Sequence, residues 1–140
     1  DFLYGGTGDD FVFGAFGDDY IDGGAGNDTL FGFEGNSTIL GGSGNDLIQG
    51  GGSNDSANGG AGADTFNYDI GLGIESLGTD TIDGGFGIDT LTIFYQAGQE
   101  VTYATELANL QASIAATGSG TFFGLTFTSI EQLTLELFDV

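Results

Sequence analysis

The 140-residue chain contains no lysine, arginine or histidine, and no cysteine, proline, methionine or tryptophan. Each absence removes a class of explanation. With no basic side chain and a formal net charge of −21, nucleic acid is excluded as a partner, because phosphate binding rests on cations. An anionic membrane surface is excluded on the same ground, and no apolar run is long enough for membrane insertion. Without cysteine, a fold this small must be held by something other than disulfides. Without histidine, lysine or cysteine, most nucleophile–base pairs cannot be assembled. Paired carboxylates could still hydrolyse glycosides, but the Asp residues are spaced for metal, so no catalysis is expected of the chain itself. No initiator methionine or signal peptide is present, which reads as a piece of a longer or processed chain.

What is present is unevenly spread. Residues 1–92 hold fourteen Asp and two Glu, whereas residues 93–140 hold four Glu and Asp139 alone. Glycine, 29 residues in all, falls the same way. The chain therefore divides near Thr92 into parts 1–92 and 93–140. A glycine-rich acidic chain is ordinarily disordered, since self-repulsion and backbone entropy oppose collapse. An apolar fraction of 39% with thirteen Phe argues against that.

A nine-residue period explains the composition. Cut from Gly5, the chain reads GGTGDDFVF, GAFGDDYID, GGAGNDTLF, GFEGNSTIL, GGSGNDLIQ, GGGSNDSAN and GGAGADTFN. After a seven-residue insertion at 68–74, expected to bulge out as a loop, it resumes as ESLGTDTID and GGFGIDTLT. The pattern is GGxGxDxUx, with U large and apolar. Position eight is Leu3, Val12, Ile21, Leu30, Ile39, Ile48, Ala57, Phe66, Ile82 and Leu91, all apolar. One Gly-Asp turn would be an ordinary β-turn, but nine in register are not. Glycine permits tight turns that aim several backbone carbonyls into one space. Calcium is a hard cation that takes six to eight oxygens, and the position-six Asp supplies charged ones. The last three residues of each block form a short strand whose middle side chain points inward.

The blocks resemble the nonapeptide repeat of the RTX (repeats-in-toxin) family over about two-thirds of the chain. The resemblance implies an all-β fold, a right-handed parallel β-roll (β-solenoid) with two blocks per coil and calcium between turns stacked on one edge. It sorts the blocks into two edges. The first carries Asp10, Asp28, Asp46, Asp64 and Asp89 and keeps its glycines. The second carries Asp1, Asp19, Ser37, Asp55 and Asp80, and it is worn. Ala15 and Phe33 stand for glycine, Ser37 for Asp, Ser53 for glycine, and Glu75-Ser76-Leu77 for a whole GGx. The expected metal ligands are those nine Asp carboxylates with backbone carbonyls of Gly5, Thr7, Gly23, Gly24, Ala25, Gly26, Gly41, Gly42, Ser43, Gly44, Gly59, Gly60, Ala61, Gly62, Gly85 and Gly87. The cofactor is Ca²⁺, with about four strong sites and up to about eight in all, the doubtful ones worst beside Ser37.

In the second part, Ile93–Tyr95 continues the strand after Leu91. A short helix is expected over Thr102–Ala116, with Leu107, Leu110 and Ile114 on one face and Thr102 or Thr105 as cap. Ile130–Phe138 alternates with Leu133, Leu135 and Leu137 on one face, and TSIEQLTL resembles the segment that extends or caps such a roll. The C-terminal segment is therefore expected to be a β-rich cap with one helix.

The family resemblance implies an extracellular calcium-binding structural module that folds after secretion, outside the cell or on a bacterial cell surface. Positions seven and nine point outward, and the N-terminal coils place Phe2, Tyr4, Phe11, Phe13, Tyr20, Phe31, Leu40 and Leu47 there. The aromatics form a candidate interface, or a surface that the C-terminal segment covers by folding back. The alternatives are a calcium-dependent subunit assembling head to tail into a surface layer or filament, and the non-catalytic tail of a larger secreted hydrolase or adhesin. Ice adhesion is discounted because position three (Thr7, Phe16, Ala25, Glu34, Ser43, Gly52, Ala61) is not a regular rank.

Overall fold

The computed structural model describes residues 1–69, 78–96, 100–122 and 124–138. Ten strands follow the period: β1 Phe2–Thr7, β2 Phe11–Phe16, β3 Tyr20–Ala25, β4 Thr29–Glu34, β5 Thr38–Ser43, β6 Leu47–Gly52, β7 Ser56–Ala61, β8 Thr65–Asp69, β9 Thr81–Phe86 and β10 Thr90–Gln96. Helix α1 (Glu100–Thr117) and strands β11 (Gly120–Phe122), β12 (Leu125–Thr128) and β13 (Gln132–Phe138) complete the described chain. Alternate strands fall into two sheets, β1-β3-β5-β7-β9-β12-β11 and β2-β4-β6-β8-β10-β13. Apart from the β11–β12 hairpin the pairings are parallel. This is the expected parallel β-roll.

Each strand begins on positions seven to nine and runs on through the glycines of the next block, so strands are longer than the three residues foreseen. Alternation sends position eight inward. Ile21, Leu30, Ile39, Ile48, Ala57, Phe66, Ile82 and Leu91 form one buried column, and Leu3 and Val12 of the first coil pack against it half-buried. The register keeps that column straight: Ile21 pairs with Ile39, and Ile39 with Ala57. A slip of one residue would turn every apolar side chain outward.

Three expectations are corrected. The insertion does not start at Tyr68. Strand β8 continues through Tyr68 and Asp69, with Tyr68 buried and in register with Ile93; residues 70–77 lie outside the described part. The helix is longer than expected and places Thr102 and Thr105 inside it, so neither caps its start. Leu110 and Ile114 are buried as expected, while the Leu107 side chain lies outside the description. The tail does not fold back over the N-terminal aromatics in its described portion. It adds a further coil at the opposite end, β12 against β9 and β13 against β10. Phe127 pairs with Ile82 and Leu133 with Leu91, so both stand in the position-eight column. Leu135 and Leu137 share that face but are exposed at the end of the stack.

Candidate metal centre

The turns after β1, β3, β5, β7 and β9 stack on the first edge; those after β2, β4, β6 and β8 stack on the second. On the first edge the position-six residues form a ladder. The amide of Asp10 donates to Asp28 Oδ1 (2.8 Å), Asp28 to Asp46 (2.8 Å), Asp46 to Asp64 (2.9 Å) and Asp64 to Asp89 (2.8 Å). Glu131 ends it, accepting from the Asp89 amide at 2.9 Å. Each rung uses an Oδ1 oxygen of Asp28, Asp46, Asp64 or Asp89. The Oδ2 oxygen of these four and of Asp10 is buried without a hydrogen-bond partner.

Such an orphan is costly, because a desolvated charged oxygen loses its water and gains nothing. The same oxygens are crowded against position-one glycines. A Cβ on Gly23 would strike Asp28 Oδ2 and the carbonyl oxygen of Gly41, one coil on. The same holds for Gly5 with Asp10 and Gly23, Gly41 with Asp46 and Gly59, and Gly59 with Asp64 and Gly84. Carboxylate and stacked carbonyl oxygens thus converge where only glycine leaves room. A hard cation fits that chemistry, an anion or an apolar ligand does not. No group of three acidic side chains converges among the described residues, so the remaining ligands would be backbone carbonyls. The carbonyls of Ala25, Ser43 and Ala61 already accept the amides of Gly8, Gly26 and Gly44 at 2.7, 2.8 and 2.8 Å. Each keeps a second lone pair.

The second edge repeats this with defects. Ser37 donates its amide to Asp55 Oδ1 and Asp55 to Asp80 Oδ1, both at 2.8 Å. The rung from Asp19 to Ser37 is missing, because the short Ser37 hydroxyl is buried without a partner. Ala15, Phe33 and Ser53 carry φ of 78°, 85° and 84° in glycine's places. Asp1 is exposed, and its ammonium group holds Asp19 Oδ1 at 2.8 Å. The Asp80 carboxylate takes a hydrogen bond from the Tyr68 phenol. Burial, then the neighbouring Asp80 carboxylate, pushes that phenol well above its usual range.

Burial pushes the Asp55 and Asp64 carboxyls up to about 6, opposed by hydrogen bonds from the backbone of Ser37 and Asp46 and reinforced by stacked carboxylates. Asp46, Asp80 and Asp89 are raised mainly by burial as well. Without cations, these buried carboxyls hold a proton more readily than a free carboxyl does.

Sequence reasoning missed a second ladder at position five. The Asn27 amide donates to Asp9 Oδ1 (2.7 Å), Asn45 to Asn27 (2.8 Å) and Ala63 to Asn45 (2.8 Å). Asn36, Asn54 and Thr79 do the same from Asp18 onward on the second edge. These bonds run opposite in direction to the position-six rungs. The signal was Asp or Asn at position five of the first six blocks. Glu131 was also missed, since no glycine pair precedes it.

The outward aromatics form two clusters on the first coils. Tyr20 packs against Phe2 and Tyr4 at ring separations of 5.8 and 6.1 Å. On the other sheet Phe11 meets Phe31, and Phe33 meets Phe13 and Phe16. Phe2, Tyr4, Phe11 and Phe13 are exposed, while Tyr20 and Phe31 are half-buried.

The family model for the RTX calcium-binding nonapeptide repeat, four copies, matches residues 1–30, 31–66 and 76–92. No curated protein and no solved structure matches the chain. Stacked Gly-Asp turns, orphaned carboxylate oxygens and this match over more than half the residues agree: the chain belongs to the RTX calcium-binding repeat family.

Proposed function

We propose that the chain is an extracellular structural module whose roll folds as its turns take up calcium after export. The observation that carries this is the column of buried, unpartnered carboxylate oxygens at Asp10, Asp28, Asp46, Asp64 and Asp89. Successive coils stack about 4.8 Å apart. Unit charges at that spacing repel by about 3–4 kcal/mol at an effective dielectric of about 20. Bound calcium would supply the positive charge that this column lacks. The chain's part is to aim the oxygens: glycine turns bring the carbonyls in, and the position-five and position-six ladders fix coil spacing. Since a preformed site is absent from the unfolded chain, binding energy becomes folding energy. Extracellular modules work at about 10⁻⁴–10⁻³ M calcium, so the roll stays unfolded in cytosol and folds outside. The four gaps between consecutive Asp of the first edge are the strong sites. Residues 1–92 form the calcium roll, and 93–140 end it.

A second reading is supported by the N-terminal coil. Strands β1 and β2 are both sheet edges, and exposed Phe2, Tyr4, Phe11 and Phe13 lie beside them. Open edges flanked by aromatics favour strand addition by a second copy or by further coils of a larger secreted protein.

Calcium titration followed by far-ultraviolet circular dichroism and sedimentation tests both. A coil-to-strand transition near millimolar calcium is expected, and a spectrum unchanged by calcium would refute the module reading. Monomeric loaded protein at high concentration would remove the assembly reading alone.

A further inference from the structure

The first edge has more orphaned Oδ2 oxygens than gaps between its Asp turns, and the excess is at Asp89. In each gap the Oδ2 oxygen of one coil shares its space with the position-one carbonyl of the next. Asp28 Oδ2 and Gly41 O meet at Gly23 in this way, and Asp64 Oδ2 and Gly84 O at Gly59. The oxygens of Asp10, Asp28, Asp46 and Asp64 are thereby each assigned to a gap between repeats. That of Asp89 belongs to none of these gaps and faces the tail. Asp89 is fully buried, and its Oδ2 has no hydrogen-bond partner.

The tail meets this oxygen with a turn of its own. Strand β12 pairs with β9 as far as Asp83↔Thr128, so Ser129 follows opposite Gly84. A Cβ on Gly84 would strike Ser129 O and Asp89 Oδ2 together, the arrangement found at the glycine turns. Strand β13 pairs with β10 from Thr90↔Gln132 onward, so Glu131 stands opposite Asp89. Gly85, Phe86, Gly87 and Ile88 separate Gly84 from Asp89, whereas Ile130 alone separates Ser129 from Glu131. The tail thus keeps both ends of a repeat turn and omits its glycine middle. Glutamate, one methylene longer than aspartate, reaches from this shorter turn to make the 2.9 Å rung with the Asp89 amide. The turn is held from both sides. Ile130 is buried with its amide on the Gly118 carbonyl (2.8 Å), and the amides of Glu131 and Gln132 donate to the Asp89 carbonyl (3.0 and 2.9 Å).

We propose that the gap between the Asp89 turn and the Ser129–Glu131 turn is a further calcium site, with Asp89 Oδ2, the Ser129 carbonyl oxygen and the Glu131 carboxylate among its ligands. This rests on the calcium reading of the glycine turns. The chemistry favours a hard cation: two carboxylates and a carbonyl meet where no basic side chain exists to neutralise them. The rung uses Glu131 Oε2 and leaves Oε1 for the ion. A carbonyl that accepts no more than one hydrogen bond keeps a lone pair for it as well. Glu131 is exposed and its turn brings fewer carbonyls, so water completes the shell. This ion should therefore bind more weakly than those between glycine turns. It would tie the tail coil to the roll, adding a metal link to the pairing of β12 with β9 and β13 with β10.

The test counts ions on the full chain by native mass spectrometry at saturating calcium, with strand content checked by circular dichroism. Glu131→Gln keeps an acceptor for the Asp89 amide and removes the charge, so it should bind one ion fewer than wild type. Glu136→Gln, which removes an exposed carboxylate elsewhere on β13, should keep the full count. A folded Glu131→Gln with the wild-type count, or an equal loss in Glu136→Gln, overturns the proposal. Should Glu131→Gln fail to fold, crystals of the calcium-loaded wild type decide. Long-wavelength anomalous diffraction should show a calcium peak between Asp89 Oδ2 and the Ser129 carbonyl oxygen. Peaks between the glycine turns with none beyond Asp89 overturn this site alone. The absence of any calcium peak overturns the reading of the whole roll along with it.

Discussion

The two edges of the roll are built from the same nine-residue unit, yet only one is intact. On the first edge every turn has its glycines and its Asp, and the rungs run unbroken from Asp10 to Glu131. On the second, three non-glycine residues hold left-handed backbone, Ser37 breaks the ladder and Tyr68 stands where the nine-residue period has glycine. Both edges nevertheless flank one buried column, from Ile21 to Leu91, to which both sheets contribute. The strand register stays parallel on both sheets although the second edge carries these defects.

The largest effect expected is from removing metal. Chelation should melt the strands of the whole roll, read by circular dichroism. Strand content that survives chelation would mean the apolar column alone holds both edges. Next comes a test of unequal edges. Asp46→Asn should raise the calcium midpoint about tenfold or more, whereas Ser37→Asp should lower it by restoring the rung from Asp19. If Ser37→Asp raised the midpoint, the missing rung would not be the defect that separates the edges.

Backbone substitutions sharpen the contrast at smaller scale. Gly42 has φ 108° and faces the Gly24 carbonyl, so Gly42→Ala should cost about 1–2 kcal/mol or more in calorimetry of the loaded protein. Ser53→Gly on the worn edge should stabilise by about 1 kcal/mol. Equal effects at both would deny that the second edge is strained.

The smallest effect is a pH dependence of the metal-free chain. Burial raises the folded Asp55 and Asp64 carboxyls from 3.8 to about 6. Between those values the folded state binds more protons than the unfolded, so stability falls as pH rises through the window. Metal-free protein should thus gain strand signal on acidification from pH 7 to 4, and calcium should bind less well there. Loss of strand on acidification would reverse the sign.

Much of this was legible in the chain. The position-eight residues named the core, because a strand has period two and ten apolar residues share one phase. The recurrence of glycine and acid at fixed spacing placed the position-six Asp together on one edge, as the stacked turns do. Three things were not legible. Tyr68 was read as the start of a loop because the glycine period stops there, although the strand continues through it. Glu131 was missed because the tail has no glycines to mark its turn. The position-five ladder was missed because Asp and Asn are ordinary turn residues and only stacking makes them partners.

The sequence by itself determined the coil: a nine-residue period that alternates glycine turns with apolar strands, and a charge column that demands cations. That follows from local rules, left-handed backbone at glycine and period two in strands. The tertiary structure decided which coils meet perfectly and which do not. It placed Tyr68 on Asp80, put Glu131 at the end of the Asp ladder and sent the tail to the far end of the roll. Those outcomes depend on what lies one coil away, 18 to 42 residues along the chain, and no local pattern records such a neighbour.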